Sequence, residues 1–168
     1  MDIFSHSLYG GAAFGRKSRK SFWTAFFIGM SPDLLSFGVF WTTGILGLHN
    51  IPVFRGGHPD PAMFPAYLQI LYNITHSLII FLAIFLIIWL IRKKPFWELG
   101  AWGLHILVDI PTHSYQFFPT PFLWPVSNFK VHSISWSDPR IFIPNIIIII
   151  LIYGFWFWRW KINKSSPC

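Results

Sequence analysis

The sequence is poor in charged residues and almost free of cysteine. Charged side chains make up 11% of its 168 residues and only six of them are Asp or Glu, whereas soluble domains carry about 25%. Its single cysteine, Cys168, excludes an internal disulfide and a zinc site built from several thiolates. Hydrophobic residues make up 54% of the chain and aromatic residues 20%. This composition is typical of an integral membrane protein.

The net charge of +7 comes from basic residues beside apolar segments, at 16–20, 92–94 and 159–164. A basic chain could bind nucleic acid, but this placement is a topology signal, so we expect no nucleic-acid partner. Placing the three clusters in the cytoplasm puts ten of the thirteen Lys and Arg residues there. We therefore predict a multi-pass protein of the cell (inner) membrane, with loops 47–64 and 111–139 outside.

Four apolar segments are candidate membrane helices, at about 21–46, 65–91, 96–110 and 140–160. Residues 1–15 are too short to span, and they predict a short re-entrant or interfacial helix whose glycines allow close packing. The predicted fold is all-α: a polytopic helical membrane bundle of about four transmembrane helices plus this N-terminal helix. Residues 1–168 form one integral membrane domain in this interpretation.

The segment Gly103–His113 carries polar side chains at helical spacing. His105 and Asp109 are four residues apart, so a helix places them on one face. His113 would extend that face, but Pro111 interrupts the helix and predicts a kink or loop there. Such groups on an apolar helix are costly unless they bind each other or a ligand.

Polar residues of the other segments project to a similar depth. At about 1.5 Å per residue from the basic ends, the depths are roughly 15 Å for His6, 20 Å for Asp33, 24 Å for His76, 17 Å for His105, 22 Å for Asp109 and 21 Å for Asn145. Ligands of one site must share a level, whereas scattered structural polar residues need not. The sequence therefore predicts one polar layer in the outer half of the bilayer.

The donors in this layer are imidazole nitrogens and carboxylate oxygens, which suit zinc, manganese or iron(II). They could hold one divalent metal ion with an open position, or two ions with a bridging carboxylate. Structural ion pairs and interhelical hydrogen bonds are the alternative, most readily for Ser77, Thr75 and Asn73. In the metal interpretation, Thr75, Asn73 and Asn145 support the ligands. The candidate ligands are His6, Asp33, His76, His105, Asp109 and His113.

Four motifs resemble those of the YdjM-like membrane-bound, metal-dependent hydrolases. They are the early histidine of 1–6, Ser31-Pro32-Asp33, Thr75-His76-Ser77, and His105-Ile-Leu-Val-Asp109 followed by Thr112. The resemblance covers roughly residues 1–125, and this family is distantly similar to the zinc-dependent phospholipase C and single-strand nuclease superfamily.

The resemblance implies phosphoester hydrolysis with zinc, one or two ions. By it, the ligands are His6, Asp33, His76, His105 and Asp109. Two positions depart from the pattern. Tyr72-Asn73-Ile74 stands where many members have His-Arg-Gly, and Thr112-His113-Ser114 stands where many have a glycine. The change at 72–74 removes one histidine ligand of the pattern. The change at 112–114 offers His113 as its replacement.

We therefore expect a membrane-embedded metal-dependent hydrolase acting on a lipid or another phosphoester through metal-activated water. Asp33 and Asp109 are the predicted catalytic carboxylates. Two other functions stay open. One is a non-enzymatic carrier of metal ions or protons along the same side chains. The other is a membrane scaffold protein in which the polar layer only fixes helix register.

Overall fold

The computed structural model describes residues 1–52 and 63–165, and these ranges contain seven α-helices and no strand. A π-helix covers Leu34–Gly38, and short 3-10 helices cover Trp97–Leu99 and Ile110–Thr112. Of the predicted loop 47–64, residues 53–62 lie outside the described ranges. The α-helices are α1 (Ile3–Phe14), α2 (Arg19–Asp33), α3 (Val39–Ile45), α4 (Ala66–Thr75), α5 (Leu78–Arg92), α6 (Gly100–Asp109) and α7 (Pro139–Ser165).

Two helical stretches, Arg19–Ile45 and Pro139–Arg159, are long and apolar enough to cross a membrane. Helices α4 and α5 pass the same test only together, with a bend of 55° between them, and so make a third span if they count as one. The all-helical prediction and the membrane character are confirmed at this level. Helix α6 has ten residues, about 15 Å, so a fourth spanning helix over 96–110 stays a prediction, as does the inner-membrane location.

Helix α1 packs inside the bundle, against α2, α6 and α7, as the glycines of the segment predict. Asp2 caps its first turn, accepting a 2.9 Å hydrogen bond from the Ser5 main-chain N–H. A Cβ atom on Gly10 would lie 2.9 Å from the Ala25 carbonyl oxygen. One on Gly29 would lie 2.8 Å from the His6 carbonyl oxygen. The absence of side chains at these glycines therefore brings α1 onto α2, and His6 into the bundle.

Helix α2 contains a proline near its end, and the neighbouring serine compensates for it. Pro32 has no N–H to donate to the Ile28 carbonyl, four residues earlier. The Ser31 hydroxyl donates to that carbonyl instead, at 2.8 Å. Asp33 then ends α2, and the wider turns of the π-helix follow. Such π-helical turns are frequent at functional sites, and this one lies directly after the carboxylate.

The predicted second segment is broken between α4 and α5, and the long loop after α6 stabilises the break. His76 and Ser77 have non-helical backbone angles there, and the Ser77 hydroxyl caps α5. Ser77 also donates to the Trp124 carbonyl, while the indole N–H of Trp102 donates to the Thr75 carbonyl at 2.6 Å. Backbone groups freed by a break at membrane depth need such partners, because lipid supplies none.

Helix α7 contacts the bundle mainly through α1. Asn145 Nδ2 donates to Ser5 Oγ at 2.8 Å, and the Tyr153 hydroxyl donates to the Leu8 carbonyl at 2.9 Å. Only 6% of its most apolar stretch is buried. Its remaining surface therefore suits contact with lipid.

Candidate metal centre

The polar residues predicted to share one layer lie close together in the structure. Their donor atoms form two triads, and within each triad the atoms lie within 4.8 Å of one another. His105 belongs to both triads. The first triad is His6, His105 and Asp109, and the second is Asp33, His76 and His105.

Each group arrives from a different part of the chain. His6 lies on the buried face of α1, Asp33 ends α2, and His76 lies at the α4–α5 break. His105 and Asp109 lie one turn apart on α6. This is the convergence that helical periodicity and depth along each segment predict.

Four of the five side chains are removed from solvent almost completely. The side chains of His6, His76, His105 and Asp109 are at most 1% exposed, whereas that of Asp33 is 16% exposed. Ionisable groups buried to this degree are costly unless other groups satisfy them. Asp33 is therefore the residue of this cluster that is accessible from outside.

The Nε2 atoms of the two central imidazoles face each other, because both Nδ1 atoms lie against other partners. His105 Nδ1 lies 2.7 Å from the Gly29 carbonyl oxygen, which can only accept, so Nδ1 carries the proton in the neutral ring. His76 Nδ1 lies 3.2 Å from the Tyr72 carbonyl oxygen and 2.9 Å from Thr75 Oγ1.

The Thr75 hydroxyl donates to the Leu71 carbonyl at 2.8 Å, so it accepts from His76, whose Nδ1 is therefore also the protonated nitrogen. The Nε2 atoms of His76 and His105 are only 3.1 Å apart. Two lone pairs at this distance repel unless a proton or a metal cation lies between them. Fixing one ring nitrogen by a carbonyl is also how metal-binding histidines are usually oriented.

The spacing of the donors matches a coordination shell. Tetrahedral ligands about 2.1 Å from a cation lie roughly 3.4 Å from one another. In the second triad, the distances are 3.5 Å from Asp33 Oδ1 to His76 Nε2, 3.9 Å from Asp33 Oδ1 to His105 Nε2, and 3.1 Å between the two nitrogens. Asp109 Oδ2 lies 3.1 Å from His105 Nε2 and 3.6 Å from His76 Nε2. These buried groups could therefore hold a metal ion.

His6 closes the interior side of the cluster. Its ring stacks on that of His105 with centroids 3.6 Å apart, and its Nε2 lies 2.9 Å from Asp109 Oδ1. That contact lacks hydrogen-bond geometry, so the buried Nε2 has no hydrogen-bond partner in the described part of the chain. Asp109 Oδ1 also lies 2.5 Å from the Met1 ammonium nitrogen. A buried imidazole nitrogen without a hydrogen-bond partner is available as a metal ligand.

His113 lies in extended backbone after a 3-10 turn, as the position of Pro111 predicts. Its Nδ1 lies 3.2 Å from the Asp109 carbonyl oxygen and 3.4 Å from Asp109 Oδ1. Burial lowers the pKa of His113 to about 4, so the ring is neutral at physiological pH. It belongs to neither triad, and its role as a ligand stays a prediction.

Of the three predicted supporting residues, Thr75 and Asn145 form hydrogen bonds at or beside the cluster, and Asn73 does not in the part of the chain that the structure describes. Thr75 contacts a ring nitrogen of the cluster directly, and Asn145 connects α7 to α1 beside His6. No hydrogen bond among the described residues joins Asn73 to the cluster. Sequence reasoning missed the carbonyls of Gly29 and Tyr72, which fix the two central rings. Their only sequence signal is position, since each residue lies four before a ligand in the helix.

An apolar cavity of about 460 Å³ adjoins the exposed edge of the cluster. Asp2, Asp33 and His113 are the ionisable side chains in its wall, and Asp33 belongs to the second triad. The remaining wall is largely apolar and aromatic, and includes Leu34, Phe37, Trp41, Phe117 and Trp136. The cavity therefore places an apolar surface beside the Asp33 carboxylate.

No family model, curated protein or solved structure matches the chain. The resemblance to YdjM-like hydrolases therefore stays a prediction, and the function has to be inferred from the residues themselves.

Proposed function

We propose that the protein is a membrane-embedded metal-dependent hydrolase that cleaves a phosphoester in a lipid-like substrate. The observation that carries the proposal is the 3.1 Å approach of the His76 and His105 Nε2 atoms, with both Nδ1 atoms committed to other partners. A cation between these nitrogens removes their repulsion and uses both carboxylates around them.

A divalent cation bound there would lower the pKa of a water molecule and polarise a phosphoester oxygen. His76 and His105 would bind it through Nε2, and Asp33 and Asp109 through carboxylate oxygens. His105 has a single free lone pair, so it serves one ion, which favours one ion over two. Zinc suits this mixed nitrogen and oxygen donor set.

Asp33 is the residue best placed to act as the general base. It is the only carboxylate of the two triads with an exposed edge, at 16%. It also lines the cavity. In the proposed reaction, Asp33 would orient the attacking water, accept its proton, and return a proton to the leaving oxygen as the ester P–O bond breaks, while Asp109 would remain a buried ligand. General-base assistance of this kind contributes about 10²–10⁴-fold to rate.

The cavity supports a lipid-like substrate. Its wall is largely apolar apart from Asp2, Asp33 and His113, so an acyl chain would lie along Phe37 and Trp41 with the phosphoester beside the Asp33 carboxylate. A small hydrophilic phosphoester would leave this apolar wall uncovered.

Metal content of the purified full chain in detergent tests the first half of the proposal. We expect about one divalent ion per chain in the wild type, and loss of at least nine tenths of it in His105→Ala. His132→Ala removes an exposed loop histidine and serves as the matched control. Equal metal in both variants, or no metal in the wild type, would contradict the proposal and leave a structural proton between the two rings.

Hydrolysis of a short-chain phosphatidylcholine, followed by mass spectrometry of its products, tests the second half. We expect activity that chelation abolishes and zinc restores. Asp33→Asn should lower kcat by about 10²-fold or more. A wild-type protein that retains its metal but cleaves neither this lipid nor a soluble phosphodiester would favour the carrier or scaffold function, with the metal site intact.

A further inference from the structure

A second cavity, of about 650 Å³, lies at the basic end of the bundle. It lies between α7 and the turn that joins α1 to α2. Arg19 in its wall is fourteen residues from Asp33 along the helix, roughly 21 Å. The cavity is therefore separate from the candidate metal centre.

The polar part of the wall is strongly basic. Arg16, Arg19 and Arg159 line the cavity, and no Asp or Glu does. Among the described residues, none of the three arginines forms an ion pair. The Arg16 guanidinium lies 5.5 Å from the centroid of the Trp156 ring, and Arg16 Nε donates to the Ala12 carbonyl at 2.8 Å. Three guanidinium groups around one cavity attract an anion, and their planar N–H groups match phosphate oxygens.

The other part of the wall is apolar. It includes Phe22 from α2 with Ile152, Phe155 and Trp156 from α7. These residues continue into the exposed apolar surface of α7, whose most apolar stretch is only 6% buried. The cavity therefore joins a basic end to a surface suited to hydrocarbon.

We propose that this cavity binds an anionic phospholipid, with its phosphate among the three arginines and an acyl chain along Phe22 and Ile152. Basic pockets between membrane helices are suited to such headgroups. A lipid fits better than free phosphate because Phe22, Ile152 and Phe155 make part of the wall apolar, and this part continues into the exposed surface of α7. Binding there links α7 to the α1–α2 turn.

Native mass spectrometry of the full chain tests this proposal. The protein, in zwitterionic detergent, is given equal amounts of dioleoyl phosphatidylglycerol and dioleoyl phosphatidylcholine, and the adducts are counted by mass. We expect the wild type to retain phosphatidylglycerol in preference. Each guanidinium contributes about fivefold, so the combined variant R16Q/R19Q/R159Q should lose up to roughly 100-fold of that preference.

The matched control removes the same formal charge at the same end of the bundle. It replaces Arg92, Lys93 and Lys94 by glutamine, and should keep the preference within about twofold, since one headgroup site is involved. A loss as large as in the first variant would indicate general surface attraction and overturn the proposal. An unchanged preference in the first variant would overturn it too.

A charge-retaining variant covers the case in which the triple variant does not fold. Ile152→Trp fills the cavity and leaves every arginine in place, and it should reduce the phosphatidylglycerol adduct at least fivefold at an unchanged melting temperature. An undiminished adduct would contradict the proposal. Inorganic phosphate in tenfold excess should not displace the lipid. Displacement would show that the site takes phosphate alone, and the lipid assignment would fall.

Discussion

Replacing Gly29 by alanine tests whether the close approach of α1 and α2 builds the cluster. The new Cβ atom would lie 2.8 Å from the His6 carbonyl oxygen and 3.4 Å from the Ser7 Cα atom. Both neighbours belong to the α1 backbone, so no side-chain rotation can relieve the contact. The Gly29 carbonyl also accepts the 2.7 Å hydrogen bond that orients His105. A shift of α1 away from α2 therefore disturbs two imidazoles of the cluster together.

The expected loss of stability follows from two opposing effects. Crowding in a packed interior costs about 1–3 kcal/mol. Alanine in a helix is favoured over glycine by roughly 0.5–1 kcal/mol. Gly154 is the matched control, because a Cβ there would meet nothing within 4 Å. Both variants share the helix preference, so the difference between them measures the crowding alone, about 1–3 kcal/mol.

The assay is thermal unfolding in detergent, followed by tryptophan fluorescence, with metal content measured on the same samples. At about 2–4 °C per kcal/mol for a chain of this size, Gly29→Ala should melt roughly 2–12 °C below Gly154→Ala. It should also bind less metal. Equal melting temperatures and equal metal content in the two variants would contradict a crowded contact between α1 and α2. Normal stability with lost metal would show that the contact orients His105 without supporting the fold.

Three further substitutions test individual contacts. Ser31→Ala removes the donor to the Ile28 carbonyl and should lower the free energy of unfolding by about 1–3 kcal/mol in a denaturant titration. Trp102→Phe leaves the carbonyl at the end of α4 without its indole donor and should cost a similar amount, about 1–3 kcal/mol. Hydrogen bonds from Arg140 lower the pKa of Asp138 to about 2. Because this is below the unfolded value of about 3.9, the stabilisation is present above pH 4 and lost toward pH 2. Asp138→Ala should therefore lower the melting temperature at pH 7 but not at pH 2.

Each of these substitutions has its own control. Pro32→Ala restores a main-chain N–H, so Ser31→Ala should cost little in that background; an equal cost in both would contradict the compensation. Trp23→Phe is the same change at a tryptophan with 45% exposure, and a loss equal to that of Trp102→Phe would argue against the indole hydrogen bond. For Asp138→Ala, a difference in melting temperature that persists at pH 2 would contradict the pKa argument.

The proximity of the polar residues was predictable because their depth in the bilayer follows from their position along each helix. Asp33, His76 and His105 lie on segments whose depth can be counted from the basic ends, and an isolated ionisable group at that depth is costly. The 1.5 Å rise of a helix then brings them to one level without any tertiary information. Their nearest donor atoms do lie between 3.1 and 3.9 Å apart. Whether they bind a metal ion stays a prediction.

The break between α4 and α5 could not be predicted from its own segment. Residues 66–92 contain neither proline nor glycine, and their apolar run indicates a continuous helix. The break is stabilised by distant groups, since the Trp124 and Phe122 carbonyls accept hydrogen bonds from Ser77 and from the Leu78 N–H. Such partners can be identified only when the tertiary structure of the long loop after α6 is known. The same holds for the Gly29 carbonyl, whose partner is 76 residues away.

The hydrogen bonds between α7 and α1 have a consequence for the order of synthesis. Asn145 contacts Ser5 across 140 residues of sequence, and Tyr153 contacts Leu8 across 145. The N-terminal helix therefore leaves the ribosome long before these two partners. Its contacts with α2 and α6 can form earlier, so the hydrogen bonds to α7 are the last to be added around α1.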